Sequence, residues 1–320
     1  MKIIPLDAIQ RVVTGPDAID AVRKGYIAFS DGLIEQPDPL QILFKEADGS
    51  FFGDCHAKAA QGRGLPYFVI KVASGFYRNI EKRLLPNSGL VLVMSSETGH
   101  PVAVLQDDGW LTQMRTAAAG ALAASIKPVL PTAALGVIGT GTQAFLQAQM
   151  ITAFTGIKPV FVKGRGELES AAFAERLQTA GIDATPTTSA HEICDNAAIV
   201  VTATPSSEPV LMSDDVIGSI HIIAVGADSP GKLEIDPHLT ARASLIATDS
   251  HVQCVHHGDF GAAVREGLLS EDADVSFCDV LAGKHPDLDF AGAEISMVDL
   301  TGVGVQDLAI ASLVVNQLNV

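Results

Sequence analysis

The chain has 320 residues, 48% of them hydrophobic, 18% charged and 5% aromatic, with a formal net charge of −16. That length and apolar content exclude a mini-scaffold and a disordered chain, and predict one large α/β domain or two domains with a sizeable core. The acidic balance excludes a nucleic-acid reader, which needs a basic stripe to release counterions from phosphate, so a site for a small anion has to be made locally by a few cations or helix N-termini.

Cys55, Cys194, Cys254 and Cys278 show no close pairing and no C-x-x-C, which argues against a disulfide framework or a structural zinc and for a reducing cytoplasm. The opening Met1-Lys2-Ile3-Ile4-Pro5 has no apolar stretch of leader length. The most apolar run, Ala117 to Gly139, is broken by Lys127, Pro128 and Pro131, so no membrane span is expected.

In chain order, Ile19, Val22, Tyr26 and Phe29 recur at helical spacing behind an Asp17 that could cap, which predicts a helix from Pro16 to Phe29. Short runs at Leu40 to Phe44, Ser50 to Asp54, Tyr67 to Ala73, Leu90 to Ser95 and Val102 to Gln106 are bounded by turn formers and predict a small meandering sheet. The alanine-rich stretch after Leu111-Thr112 predicts a helix to Ser125, with Pro128 and Pro131 marking its exit into a second unit. Beyond it, strands at Ala133 to Ile138, Val160 to Lys163, Ile199 to Ala203, Ile220 to Val225 and Leu245 to Thr248 alternate with helices such as Gln143 to Phe154 and Glu167 to Ala180. That alternation predicts βαβ units around a parallel sheet.

The run Leu135-Gly136-Val137-Ile138-Gly139-Thr140-Gly141-Thr142-Gln143-Ala144 carries G-x-G-x-x-A between an apolar strand and a helix. In that context Gly139 suits the tight turn, Gly141 the close approach of a pyrophosphate, and Ala144 tight helix packing, as in a dinucleotide fingerprint. The second strand lacks the usual terminal acid and runs instead into Lys163-Gly164-Arg165-Gly166. These cations either pair with a 2′-phosphate, favouring NADP over NAD, or are solvated loop charges.

Asp228, in Val225-Gly226-Ala227-Asp228-Ser229-Pro230-Gly231-Lys232, follows an apolar strand and falls near the carboxyl edge of the sheet. It reads as an acid or base beside a nicotinamide, or as a turn residue in a Pro-Gly loop. Lys71, inside the apolar run Tyr67 to Ala73, and Arg115, near the start of the alanine-rich helix, are candidate carboxylate ligands, with Lys58 a third cation. His251, Cys254, His256, His257 and Asp259 match no standard zinc spacing, so no metal is expected. Neither G-x-S-x-G nor the full Walker pattern G-x-x-x-x-G-K-[ST] is present.

Taken together, Ile70-Lys71-Val72, Leu111-Thr112-Gln113-Met114-Arg115-Thr116-Ala117-Ala118-Ala119-Gly120, the glycine loop, Gly226-Ala227-Asp228-Ser229-Pro230-Gly231-Lys232 and Asp299-Leu300-Thr301-Gly302-Val303-Gly304-Val305-Gln306-Asp307 resemble the ornithine cyclodeaminase and mu-crystallin family. The blocks occur in family order over nearly the whole chain. The resemblance implies a Rossmann-like NAD(P)-binding domain, residues 120–297, inserted in a split α+β domain, residues 1–119 and 298–320, that binds substrate and forms a homodimer.

By the same resemblance Lys71 and Arg115 hold the substrate carboxylate, Lys71 also serves in catalysis, and Asp228 exchanges protons with the substrate nitrogen or a water. The cofactor would be lined by Thr116, Gly139, Thr140, Gly141, Thr142, Gln143, Gly164, Arg165, Thr202, Thr204, Val225, Gly226, Ala227, Lys232 and Gly302. Where many members carry a further arginine, this chain has Gln41, which can donate a hydrogen bond but no charge, so Lys58 near His56 would complete the anchor. This resembles a subgroup of bacterial amino-acid and ectoine catabolism.

Three activities are then open. The first is an NADP-using, or alternatively NAD-using, imine reductase or amino-acid dehydrogenase. The second is a cyclodeaminase with internally recycled NAD, and the third a non-catalytic binding protein. The loop cations favour the first, because a reductase must exchange NADPH at each turnover.

Overall fold

The structure, a computed structural model, describes residues 1–49, 51–130 and 132–320. The expected strand start at Ser50 and the proline signal at Pro131 lie outside them. Chain packing gives two compact units, Met1–Arg115 with Val303–Val320, and Thr116–Gly302; the division read from the sequence falls at 119/120 and 297/298.

The first unit runs β1 (Lys2–Pro5), α1 (Leu6–Val12), α2 (Gly15–Ser30), β2 (Ile34–Glu35), β3 (Leu40–Lys45), β4 (Phe51–Gly62), β5 (Tyr67–Gly75), a 3₁₀ turn, β6 (Asn87–Ser95), β7 (Pro101–Gln106) and the first residues of α3 (Trp110–Ser125). A C-terminal helix, Gly304–Leu318, completes it. Its sheet is the expected antiparallel meander, in the order β1-β7-β6-β5-β4-β2 with β3 on β4. The short edge strand β1, parallel to β7, has no counterpart in the sequence reading, because four residues ending in proline give no period.

Two local expectations change. Helix α2 starts at Gly15, so Thr14 and not Asp17 is the cap: its hydroxyl accepts the Asp17 N–H at 3.3 Å, and Asp17 sits inside the first turn where an acid complements the helix dipole. Helix α3 starts at Trp110, which places Arg115 in the second turn, beyond the reach of the N-terminal dipole.

The second unit carries β8 (Ala134–Ile138), α4 (Thr142–Thr155), β9 (Val160–Lys163), α5 (Glu167–Thr179), β10 (Ala184–Thr187), α6 (Ala190–Asn196), β11 (Ala197–Thr202), β12 (Ile220–Ala224), α7 (Pro237–Arg242), β13 (Leu245–Thr248), α8 (His251–His257), α9 (Asp259–Arg265), β14 (Val275–Ser276), α10 (Phe277–Leu281) and β15 (Ile295–Asp299); the C-terminal helix is α11. All its strand pairs are parallel, in the order β10-β9-β8-β11-β12-β15-β13-β14. This is a Rossmann-like, doubly wound sheet. Strands β8, β12 and β15 are buried along their whole length, as parallel strands covered on both faces must be. Strand order reverses between β8 and β11, so the loops that leave them diverge and open the crevice where such sheets take ligands.

Among the described residues no helix is long and apolar enough to cross a membrane, and no group of three or more His, Cys, Asp or Glu is arranged to hold a metal ion. His251 pairs instead with Asp274 at 2.8 Å, while the Cys254 thiol, pushed well up by burial, points inward at Asp249.

Candidate functional site

In the first unit the sheet register sets out a row Lys58, Lys71, Val91, Leu105 across β4, β5, β6 and β7. Val91 and Leu105 are fully buried, so both lysines lie on the core face, and both are themselves buried. Helix α11 meets this face closely: a Cβ on Gly304 would lie 2.4 Å from the Ala59 carbonyl oxygen, so only glycine lets the helix start this near β4. One turn on, Asp307 turns its carboxylate to two cations, Lys71 Nζ at 3.5 Å and Arg115 Nε at 3.3 Å, with all three side chains at most 6% exposed.

Gln306 completes the frame. Its Oε1 accepts from Arg115 Nη1 at 2.5 Å and from the Val303 N–H at 3.0 Å, and its Nε2 donates to the Tyr26 hydroxyl at 2.5 Å. Gln41 stands one row from the lysines, opposite His56, whose Nε2 lies 3.6 Å from Asp54. Lys58, Lys71, Arg115, Gln41 and His56 thus belong to one unit, the first three buried.

In the second unit the glycine loop has the geometry its sequence requires. Gly139 holds φ +124°, a conformation open to glycine, and a Cβ there would lie 2.5 Å from the Ala203 carbonyl oxygen across the switch point. Gly141 has nothing within 4 Å of where its Cβ would be, and it opens α4, whose first turn holds no acid and whose cap makes no side-chain hydrogen bond. Ala144 is fully buried. This leaves an uncovered backbone cradle at a helix N-terminus, which fits a pyrophosphate.

Thr140 packs near Gly164, where a Cβ would lie 2.9 Å from the threonine methyl. Gly164 donates its N–H to Ser170 at 2.8 Å, Lys163, half-buried, ends β9 where an acid would receive ribose hydroxyls, and Arg165 is exposed, while the Glu169 carboxylate of the first turn of α5 stands beside Gly166. Thr142 is exposed and Gln143 half-buried, next to Gln147, which is fixed to the Thr116 carbonyl at 3.1 Å.

After β12, Val225 donates to the Thr202 carbonyl at 3.1 Å and Ala227 is buried, while Asp228 is half-exposed and accepts from Lys232 Nζ at 2.6 Å. Lys232 is therefore seated on Asp228. Thr202 is fully buried and gives its hydroxyl to Glu234 at 2.8 Å, so its side chain supports the loop from beneath. Gly302, at φ +77°, donates its N–H to Asp249 Oδ2 at 2.7 Å.

Several residues that hold these loops were given no role by the sequence reading: Glu234 and Asp249, which lie outside every motif, Asp259, and Asp299, Gln306 and Asp307, which lie within the Asp299 to Asp307 block. The signal they share is an acid or amide inside an apolar run, as in Leu233-Glu234-Ile235, where a charge is retained only if its hydrogen bonds compensate its desolvation. Burial pushes the carboxyl of Glu234 up against opposing hydrogen bonds from Thr204, Thr202 and Gly226, and it raises Asp259 to about 7.

Residues 7–319 match the ornithine cyclodeaminase/mu-crystallin family. The chain belongs to this family. An uncharacterized cyclodeaminase of Sinorhizobium fredii is 32% identical over 319 residues, 98% of this chain and 94% of its own length. The iminosuccinate reductase of Paracoccus denitrificans is 34% identical over 246 residues, 76% of this chain and 75% of its own. Its crystal structure, solved in complex with NAD+, aligns over 100% of this chain and 96% of that one with a TM-score of 0.88 and 26% identity. A dimeric archaeal alanine dehydrogenase with bound NAD gives a TM-score of 0.89 at 28% identity, covering 100% and 97% of the two chains. The named members are oxidoreductases and cyclodeaminases, so the family assignment carries an enzymatic fold with a dinucleotide site.

Proposed function

We propose that the chain is an NAD(P)H-dependent oxidoreductase acting on the C–N bond of a small imino or amino acid, working as a homodimer. The observation that carries this is the convergence of Lys71 and Arg115 on Asp307 in a buried setting. Desolvating cations costs several kcal/mol each; Asp307 offsets part of that cost, and two buried cations drawn to one carboxylate leave room in the charge balance for a second anion. A substrate carboxylate is the anion that suits the planar fork of Arg115 with a lysine alongside. The iminosuccinate reductase and alanine dehydrogenase among the relatives support the reading.

A bound nicotinamide would supply the hydride to the α-carbon, or take it in the reverse direction, with NADP favoured by Lys163 and Arg165. Thr116, Thr142, Gln143, the Gly139–Gly141 turn and Gly302 would hold the dinucleotide. Asp228, steadied by Lys232, gives a proton to the substrate nitrogen as the imine is reduced and removes it in the oxidative direction. Lys71, Arg115 and Lys58 hold the carboxylate, and Gln41 adds a neutral donor.

The cyclodeaminase reading is supported by the Sinorhizobium relative. Against it, a diamino acid would bring a second ammonium to a sheet face that already carries Lys58 and Lys71, with Arg115 of α3 drawn to the same Asp307 as Lys71.

Absorbance at the reduced-nicotinamide band decides between the two, with NADPH or NADH mixed with cyclic and linear imino acids. Stoichiometric NADPH oxidation is expected. Ammonia release from a diamino acid with catalytic NAD and no net absorbance change would overturn the reductase assignment.

A further inference from the structure

The loop that carries Asp228 begins at Gly226 and ends at Glu234, and the side chain of its last residue bonds the backbone of its first. Glu234 is fully buried, and its Oε2 accepts the Gly226 N–H at 2.6 Å and the Thr202 hydroxyl at 2.8 Å. Its Oε1 accepts the Thr204 N–H at 2.6 Å, from the loop after β11 that faces Gly139. One carboxylate therefore closes the Asp228 loop on itself and ties it to the neighbouring loop across the carboxyl edge of the sheet.

The fit is close on every side. A Cβ on Gly226 would lie 2.2 Å from the Thr204 carbonyl oxygen and 2.5 Å from Glu234 Cδ. Glu234 is itself held from behind, since Asp259 Oδ1 accepts the N–H groups of Glu234 and Ile235 at 2.8 and 2.9 Å. Asp299 Oδ2 accepts the N–H of Phe260, next along the chain. A neutral side chain could satisfy one of the two loops. Only a carboxylate presents two acceptor oxygens to N–H donors on both.

We propose that Glu234 is the positioning residue that fixes the Asp228 loop against the loop after β11, and through them sets both the affinity for NAD(P)H and the placement of the Asp228 carboxylate. This rests on the reading that these loops receive a dinucleotide. It deepens that reading by assigning a task to a residue outside every recognised motif, one that touches neither substrate nor nucleotide. Substrate affinity, which falls to Lys71 and Arg115, is independent of it.

The test uses Glu234→Gln, which keeps the shape but turns an NH₂ toward one of the two N–H donors, and Glu234→Asp, which keeps the charge but is too short to reach both loops. Amide hydrogen exchange on the nucleotide-free protein is expected to speed up at 203–206 and 225–228 by about tenfold, the cost of one stranded buried donor, with other segments unchanged. NADPH fluorescence titration is expected to give a Kd raised by a similar factor of about ten. In turnover kcat falls while the imino-acid KM stays within about twofold, because the carboxylate anchors are intact.

A folded variant with wild-type exchange at these amides overturns the proposal. So does one with faster exchange but unchanged Kd and kcat, and so does a preparation holding fewer sites of wild-type Kd, which marks a folding defect alone. Should the wild-type enzyme turn over no imino acid, the proposed reaction fails while exchange and nucleotide affinity still decide the role of Glu234.

Discussion

Lys58 and Lys71 are direct cross-strand partners in β4 and β5, and both are buried. Like charges placed opposite each other destabilise a sheet, and burying each adds a desolvation cost, which the Asp307 carboxylate 3.5 Å from Lys71 offsets in part. The use proposed for the pair is to hold a substrate carboxylate. Lys71→Met is expected to raise the imino-acid KM roughly 100-fold, the loss of one charge-assisted contact worth about 2–3 kcal/mol, with the NADPH Kd unchanged. Lys58→Met is expected to raise KM less and to melt at or above the wild-type temperature, because it relieves the like-charge pair. Steady-state kinetics and calorimetry check both, and a Lys71→Met enzyme of wild-type KM would remove the lysine from the carboxylate site.

Asp228 differs in kind from the buried acids around it, being half-exposed and fixed by Lys232 at 2.6 Å. Replacement by Asn keeps the size and removes the group proposed to carry the proton. Asp228→Asn is expected to lower kcat by about 10²- to 10⁴-fold, the usual contribution of a positioned acid or base, while fluorescence titration finds the NADPH Kd within about twofold of wild type. Equal kcat for the two proteins would reassign Asp228 to the turn that its Pro-Gly context also suits.

The glycine loop and the alternating strands were legible because their physics is local: Gly139 needs a positive φ, and β8 and β12 are largely apolar runs with both faces covered. Even so, β15 escaped the sequence reading, since Ser296 and Asp299 interrupt a five-residue strand whose place between β12 and β13 is decided by pairing far along the chain. The cations of the first unit stood out as charges in apolar surroundings. Their partners did not: Asp307 meets Arg115 from a helix nearly two hundred residues on, and no spacing rule connects them. Glu234, and the task of Asp259, escaped for the same reason, because a buried acid is recognised by its hydrogen bonds and these go mostly to backbone.

Lys163 and Arg165 stand where an NAD-specific unit has its acid, and Arg165 is exposed. If they receive a 2′-phosphate, Arg165→Ala removes a charge-assisted contact from NADPH alone. The expected result is an NADPH Kd raised about tenfold or more with the NADH Kd unchanged, and a preference that narrows with added salt. Equal weakening of both nucleotides would show that the cation serves the shared part of the dinucleotide, and the NADP preference would fall.

Two buried groups in the second unit shape the pH dependence of stability from opposite sides. Asp259 is raised to about 7, first by burial and then by the neighbouring Glu234 charge, so between about pH 4 and 7 the folded state keeps a proton that the unfolded chain has lost. Its contribution is present at low pH and declines as pH rises through that window. His221, enclosed between Ser296 and the Ala123 carbonyl, is lowered to about 4 by burial, so from about 6.5 down to 4 the unfolded chain takes up a proton that the folded one refuses. Its contribution is lost as pH falls. Asp259→Asn cannot ionise, so urea unfolding is expected to show the wild type losing ground to the variant between about pH 4 and 7, by as much as a few kcal/mol. A pH-independent difference would mean that Asp259 is ionised throughout.

The sheet face opposite Lys71 carries a different row: Ile3, Val104, Leu92, Ile70 and Ala59, aligned across β1, β7, β6, β5 and β4. None of these is fully buried, Ile3 is 64% exposed, and Leu40 and Ile42 on β3 add further exposed apolar surface. A continuous apolar row across five strands is the kind of surface that soluble chains cover, and a second copy of the same face is the simplest cover because the contact is self-complementary. The row predicts a homodimer held by this face. Sedimentation at micromolar concentration is expected to give a dimer for the wild type. Ile70→Glu with Leu92→Glu places four charges in the contact of two chains and is expected to give monomers that still bind NADPH, since the glycine loop belongs to the other unit. A double variant that remains dimeric would move the interface elsewhere on the chain.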